Sequence, residues 1–168
     1  MRSARHSKGF TLIEMLIYLA LYSIIIFGAV AAVYGIFEST ARNQTAAMVE
    51  EEGAYLISKI DWALESASLV SIPAVSTSGA QLTIQNYDGA TLTFASSGES
   101  MSIKNGDYAT ELLNNANTSI IDLSFAHTSA SQNGLYPEEL SASFTIVATT
   151  SEGSALSRSF STVKYIRK

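Results

Sequence analysis

Glu14 is the residue whose placement asks for chemistry, because its carboxylate is followed by 23 consecutive uncharged residues, Met15 to Phe37. An acid at mid-bilayer costs about 2.5 to 3.5 kcal/mol on insertion scales, and less near the interface, so a plain anchor has no use for it. The bland alternative is an interfacial acid that snorkels toward headgroups. Other reactive groupings are sparse. The two histidines, His6 and His127, stand far apart, and the chain has no cysteine, which removes thiol catalysis, disulfide frameworks and cysteine zinc sites. His127 reads as a loop or strand-end residue. Asn105, Asp107 and Glu111 could offer oxygens to calcium, but Asn-Gly-Asp is first a turn sequence, so we assign no metal and no cofactor. We find no glycine-rich phosphate loop, nucleophile elbow or paired acid–base motif, and expect no enzyme.

The elements around Glu14 follow from composition. The chain has 168 residues, 47% hydrophobic and 15% charged, with ten basic and fifteen acidic side chains. This length suffices for one packed core, and an acidic balance argues against a nucleic-acid partner, which needs a basic face. The apolar excess lies in Met15–Phe37, which as a helix reaches about 35 Å and spans a hydrocarbon core of about 30 Å. Arg2, Arg5 and Lys8 precede it without an acid, which keeps the N-terminus cytoplasmic and puts the C-terminal bulk outside. From Phe10 onward seven basic residues face fifteen acidic ones, so the external part is acidic. A secretory signal cut near Ala29-Val30-Ala31 is the competing reading, and Glu14 is the objection to it.

Lys8-Gly9-Phe10-Thr11-Leu12-Ile13-Glu14-Met15, behind a basic leader and ahead of a long apolar helix, resembles the prepilin processing site of type IV pilins and type II secretion pseudopilins. The resemblance implies that a prepilin peptidase cuts between Gly9 and Phe10, removing the leader 1–9, and that Phe10 becomes N-methylated. It also makes Glu14 the family's assembly glutamate. Partners implied are other pilin or pseudopilin subunits in a helical filament, an inner-membrane platform and its motor. The expected location is the inner membrane in a single pass, then a pilus or pseudopilus in the periplasm or at the cell surface. Cleavage would create an amine at Phe10 one helical turn from Glu14, and the same amine on a neighbouring subunit could set the axial register of adjacent helices. Many pilins kink this helix at a proline, but here no proline precedes Pro73, and Ala31 occupies the corresponding stretch. The small residues from Gly28 to Gly35 are weak close-approach signals. A membrane-anchored binding module that never polymerises is the alternative from another class; it predicts an uncut chain.

Beyond Phe37 the helical period continues but becomes amphipathic. Val49, Leu56, Ile60, Ala63 and Ala67 form one stripe, so we expect a helix from about Phe10 to Ser68 with a transmembrane part (10–37) and an amphipathic continuation (38–70), bent at Gly53. The run Glu50 to Glu52 reads as a solvated face. From Ile72 the period becomes two, giving about six strands in a globular domain over 71–168. Alternating pairs are Leu82/Ile84, Leu92/Phe94 and Met101/Ile103, then Ile121, Leu123 and Phe125, with further strands over 141–149 and 156–166. Turns fall at 87–89, 96–99 and Asn105-Gly106, the last as a type I′ hairpin. Tyr108–Asn117 could hold a helical turn, and His127 to Gly134 a long loop. Tyr and Phe residues within strands are expected in the core. The fold class is therefore α+β and pilin-like: one long N-terminal helix packed on an antiparallel sheet. The likeness to minor pilins and minor pseudopilins is looser in this half; absence of cysteine departs from the disulfide-closed loop of many major pilins.

Overall fold

The computed structural model describes residues 9–130, 137–150 and 153–165. Arg2, Arg5, His6 and Lys8, the expected loop beyond residue 130 through Gly134, and Ile166 lie outside the described residues. The chain divides into two compact units, Met1–Ala41 and Arg42–Lys168.

Helix α1, Leu12–Glu65, has 54 residues without a proline. In the first unit its apolar side chains are exposed, Leu19, Ile25 and Phe27 among them. Ser23 and Thr40 return their hydroxyls to the carbonyls of Leu19 and Ile36 at 2.8 and 2.9 Å, so these polar groups are satisfied within the helix itself. In the second unit Val49, Leu56, Ile60 and Ala63 are buried, as their stripe requires. The helix ends at Glu65, short of Ser68, where the Ser66 hydroxyl donates to Ala63 O at 3.0 Å and Ala67 already opens a strand.

Gly53, expected as a bend, lies inside uninterrupted helix and serves a close approach instead. A Cβ there would sit 2.1 Å from the ring of Phe160, which stacks on Phe144 at 5.7 Å. Glu52 corrects the expectation of a solvated acidic face. Glu50 and Glu51 are exposed, but Glu52 is buried and accepts the Asn115 N–H at 2.6 Å and the Asn115 amide at 2.8 Å.

Among the described residues nine strands replace the expected six, in two antiparallel sheets instead of one. The first orders as β1 (Ala67–Ile72), β3 (Gln81–Asn86), β4 (Thr91–Ser97), β5 (Ser100–Asn105) and β6 (Glu111–Leu112). The second orders as β2 (Thr77–Gly79), β7 (Thr118–Thr128), β8 (Glu139–Thr149) and β9 (Ala155–Tyr165). The additional strands are β1, which the helix call partly absorbed, and the short β2 and β6. Such pieces are too brief to carry a readable alternation. Leu82, Ile84, Leu92, Phe94 and Met101 of the first sheet and Phe125, Leu140, Phe144 and Ile146 of the second join the helix stripe in one core.

Several side chains depart from the expected alternation. Asp122, at φ 56°, sits where the β7–β8 register breaks between Ile121 and Ser124. That bulge leaves Ile121 exposed while Leu123 and Phe125 are buried. The phenylalanines of the strands are buried or partly buried, but Tyr165 of the last strand is exposed, which overturns its core assignment; Tyr87 and Tyr108, in the expected turn and irregular piece, are exposed as well. Val163 is likewise exposed, because β9 turns its even-numbered residues toward α1: Thr162 donates to Asp61 at 3.0 Å and Lys164 to Glu65 at 2.9 Å.

Asn105-Gly106 is not a type I′ turn, since only Gly106 of the pair has positive φ, at 53°. The chain turns through Gly106 and Asp107, with Tyr108 N–H on Asn105 O at 3.0 Å, and returns as β6. Tyr108–Asn117 accordingly holds a strand and turns in place of a helical turn. His127 lies at the end of β7 but is buried, with Nδ1 3.0 Å from Pro73 O and Nε2 2.6 Å from a Glu138 oxygen.

Candidate functional site

The start of α1 gathers the residues that the sequence singled out. Gly9 and Phe10 precede the helix in irregular backbone, both exposed, and a side chain at Gly9 would meet nothing within 4 Å.

Thr11 begins the helix. Its hydroxyl oxygen accepts the Glu14 N–H at 3.3 Å and its carbonyl accepts the Met15 N–H at 3.2 Å, so it is the N-cap. Glu14 then falls at the third helical position, the spacing of a capping box, where an acid also complements the positive end of the helix dipole. Sequence reasoning did not single out Thr11 as the cap, although Thr-x-x-Glu is the spacing of a capping box.

Glu14 is half-buried against its own helix. Tyr18, one turn on, points its hydroxyl at a Glu14 carboxylate oxygen from 3.5 Å, a long contact, and its ring meets Phe10 edge-on at 6.2 Å. Phe10, Glu14 and Tyr18 thus share one face at a spacing of four residues. Sequence reasoning missed Tyr18, whose only signal was that spacing. Among the described residues no cation stands within ion-pair distance of Glu14. The site therefore presents a carboxylate, one weak hydroxyl donor and a helix start.

The adjoining stretch of α1 is long and apolar enough to cross a membrane. Gly28 and Gly35 have open space around them, which leaves that surface smooth for close approach by another helix. Near Asn105, Asp107 and Glu111, as elsewhere among the described residues, no group of three or more His, Asp or Glu is placed to hold a metal ion.

Residues 4–32 match the family model described as the prokaryotic N-terminal methylation motif. Neither a curated protein nor a solved structure matches the chain.

Proposed function

We propose that this chain, whose residues 4–32 match the prokaryotic N-terminal methylation motif, is a structural subunit of a filament of the type IV pilus or type II secretion kind. The chain is made with a leader, residues 1–9, whose Arg2, Arg5 and Lys8 hold the N-terminus in the cytoplasm. Prepilin peptidase cuts after Gly9, and the new N-terminus at Phe10 is methylated. Segment 10–37 anchors the subunit in the inner membrane until a platform and motor draw it into the filament, with 38–70 and the β domain over 71–168 outside. The work is mechanical, and no catalytic residue is assigned.

The observation that carries this reading is Glu14, the acid at the capped start of an exposed apolar helix, without a cation among the described residues. A carboxylate among apolar helices is stable as a charge only with a counter-ion. The methylated amine remains cationic near neutral pH, since an ordinary α-amine has a pKa of about 7.7 to 8.0. Supplied by an adjacent copy, it completes the site and fixes one helix axially against the next. Neighbouring helices meanwhile replace lipid around Met15–Phe37, so extraction from the bilayer exposes little apolar surface.

Intact mass of the protein extracted from membranes of cells carrying the processing machinery tests the first half. The expected species begins at Phe10 and carries one added methyl group. A chain that keeps Met1 to Gly9 supports a non-polymerising anchored module instead, and one beginning after Ala31 supports ordinary secretion.

A further inference from the structure

Three exposed aromatic residues of the second unit, Tyr55, Trp62 and Tyr108, gather at one opening. A groove of about 490 Å³ lies between the outer flank of α1 and the β5–β6 connection, within the range of about 300–1,000 Å³ of small-molecule sites. Tyr55 and Trp62 of α1 line it, 45% and 54% exposed, together with Tyr108 of the connection, 76% exposed. Three large rings left in water beside one opening is contrary to the usual behaviour of aromatic side chains, while Phe94, Phe125 and Phe144 of the same domain are fully buried. Lys59 stands between the helix rings, its ammonium 5.5 Å from the centre of Tyr55 and 5.9 Å from that of Trp62. Asn105 and Glu111 complete the polar lining.

These polar groups restrict the ligand. Lys59 only donates, an ionised Glu111 only accepts, and Asn105 does both. Hydroxyl groups satisfy all three, because each both donates and accepts. The rings ask for flat apolar surface carrying polarised C–H bonds, which a pyranose offers on its face while its hydroxyls project from the rim. An extended peptide added to the sheet is a poorer fit, since the neighbouring edge strand, β6, offers a ladder of only 2 residues. We infer that this groove binds an uncharged oligosaccharide, with Tyr55, Trp62 and Tyr108 stacking on sugar faces and Lys59, Asn105 and Glu111 holding the hydroxyls. The inference is independent of filament assembly.

Trp62 is the only tryptophan of the chain, so it reports on the groove directly. The full chain, in a zwitterionic detergent that contains no sugar, is titrated with cellotriose and with the N-acetylglucosamine trimer. The expected result is a saturable change in Trp62 emission with at least one of them, half-complete near about 1 mM as befits a shallow site. Tyr108→Ala, on an exposed connection, should raise the half-saturation concentration about two- to tenfold while leaving the melting temperature in place. Lys59→Met provides a second variant with the same expectation. No saturable response to either trisaccharide overturns the inference. So does a response that sorbitol reproduces, one that both variants leave unchanged, or one given by an uncharged tripeptide and by neither sugar.

Discussion

At the scale of single residues, two positions in the middle of α1 do what their types do not advertise. Gly53 exists for Phe160: the missing Cβ is the space the ring occupies. Gly53→Ala gains about 1 kcal/mol of helix propensity and meets an overpacking cost of about 1 to 3 kcal/mol. The clash dominates because Phe160 is held by its stack on Phe144. A lower melting temperature is therefore expected, largely restored when Phe160→Leu is added, as thermal unfolding by circular dichroism would show. Glu52 exists for Asn115. Glu52→Ala strands the Asn115 backbone N–H in a part-buried setting, a loss of about 1 to 2 kcal/mol, whereas Glu52→Gln keeps one acceptor and loses less. Denaturant titration of the three proteins checks the order. Neither role was legible in sequence: an acid in a run of three and a glycine in a helix show their meaning only when a partner more than sixty residues away arrives.

At the scale of elements, β9 is bound to α1 by Phe160 against Gly53 and by polar contacts along the same edge. Arg158 lies 3.3 Å from Glu50, both well exposed, and pairs of this kind add little. The Glu65 carboxylate, hydrogen-bonded at 2.9 Å, raises the Lys164 ammonium above its ordinary value. A raised value means that the contact contributes below the ordinary lysine pKa and fades as pH climbs through the shifted one. Stability should thus be insensitive to this pair from neutral pH to about pH 10, with a Lys164→Met variant diverging in pH dependence only above that. Melting temperatures measured across that range decide it. The helix stripe and the strands with clear alternation could be read from sequence because period 3.6 and period 2 are long-range signals. β2 and β6 could not, being three and two residues long. Nor could the bulge at Asp122, where one residue in left-handed backbone exposes Ile121, or the split into two sheets, which depends on pairing between distant strands.

At the scale of the molecule, the chain joins an apolar unit with an exposed surface to a β unit with its own closed core. An exposed apolar surface of this kind is unfavourable in water, and under the proposed function a bilayer, then a bundle of like helices, covers it. The motif around Gly9, Phe10 and Glu14 could be singled out in the sequence because the Gly-Phe pair and the acid four residues on stand together ahead of an apolar run, and residues 4–32 match the methylation motif; under the proposed function these three residues are the cleaved junction, the new amine and its acid partner. Thr11 as cap and Tyr18 as the nearby hydroxyl emerged only from geometry. The most direct measurement is of contact between copies in cells that assemble the filament. Because the chain has no cysteine, Ala29→Cys gives a single oxidation-dependent crosslink within the span. With Glu14 present, crosslinked dimers should form. With Glu14→Gln, which keeps shape and removes charge, they should fall by at least about tenfold while the melting of the β domain is unchanged. Equal crosslinking in the two backgrounds would contradict the pairing of Glu14 with a neighbour's amine.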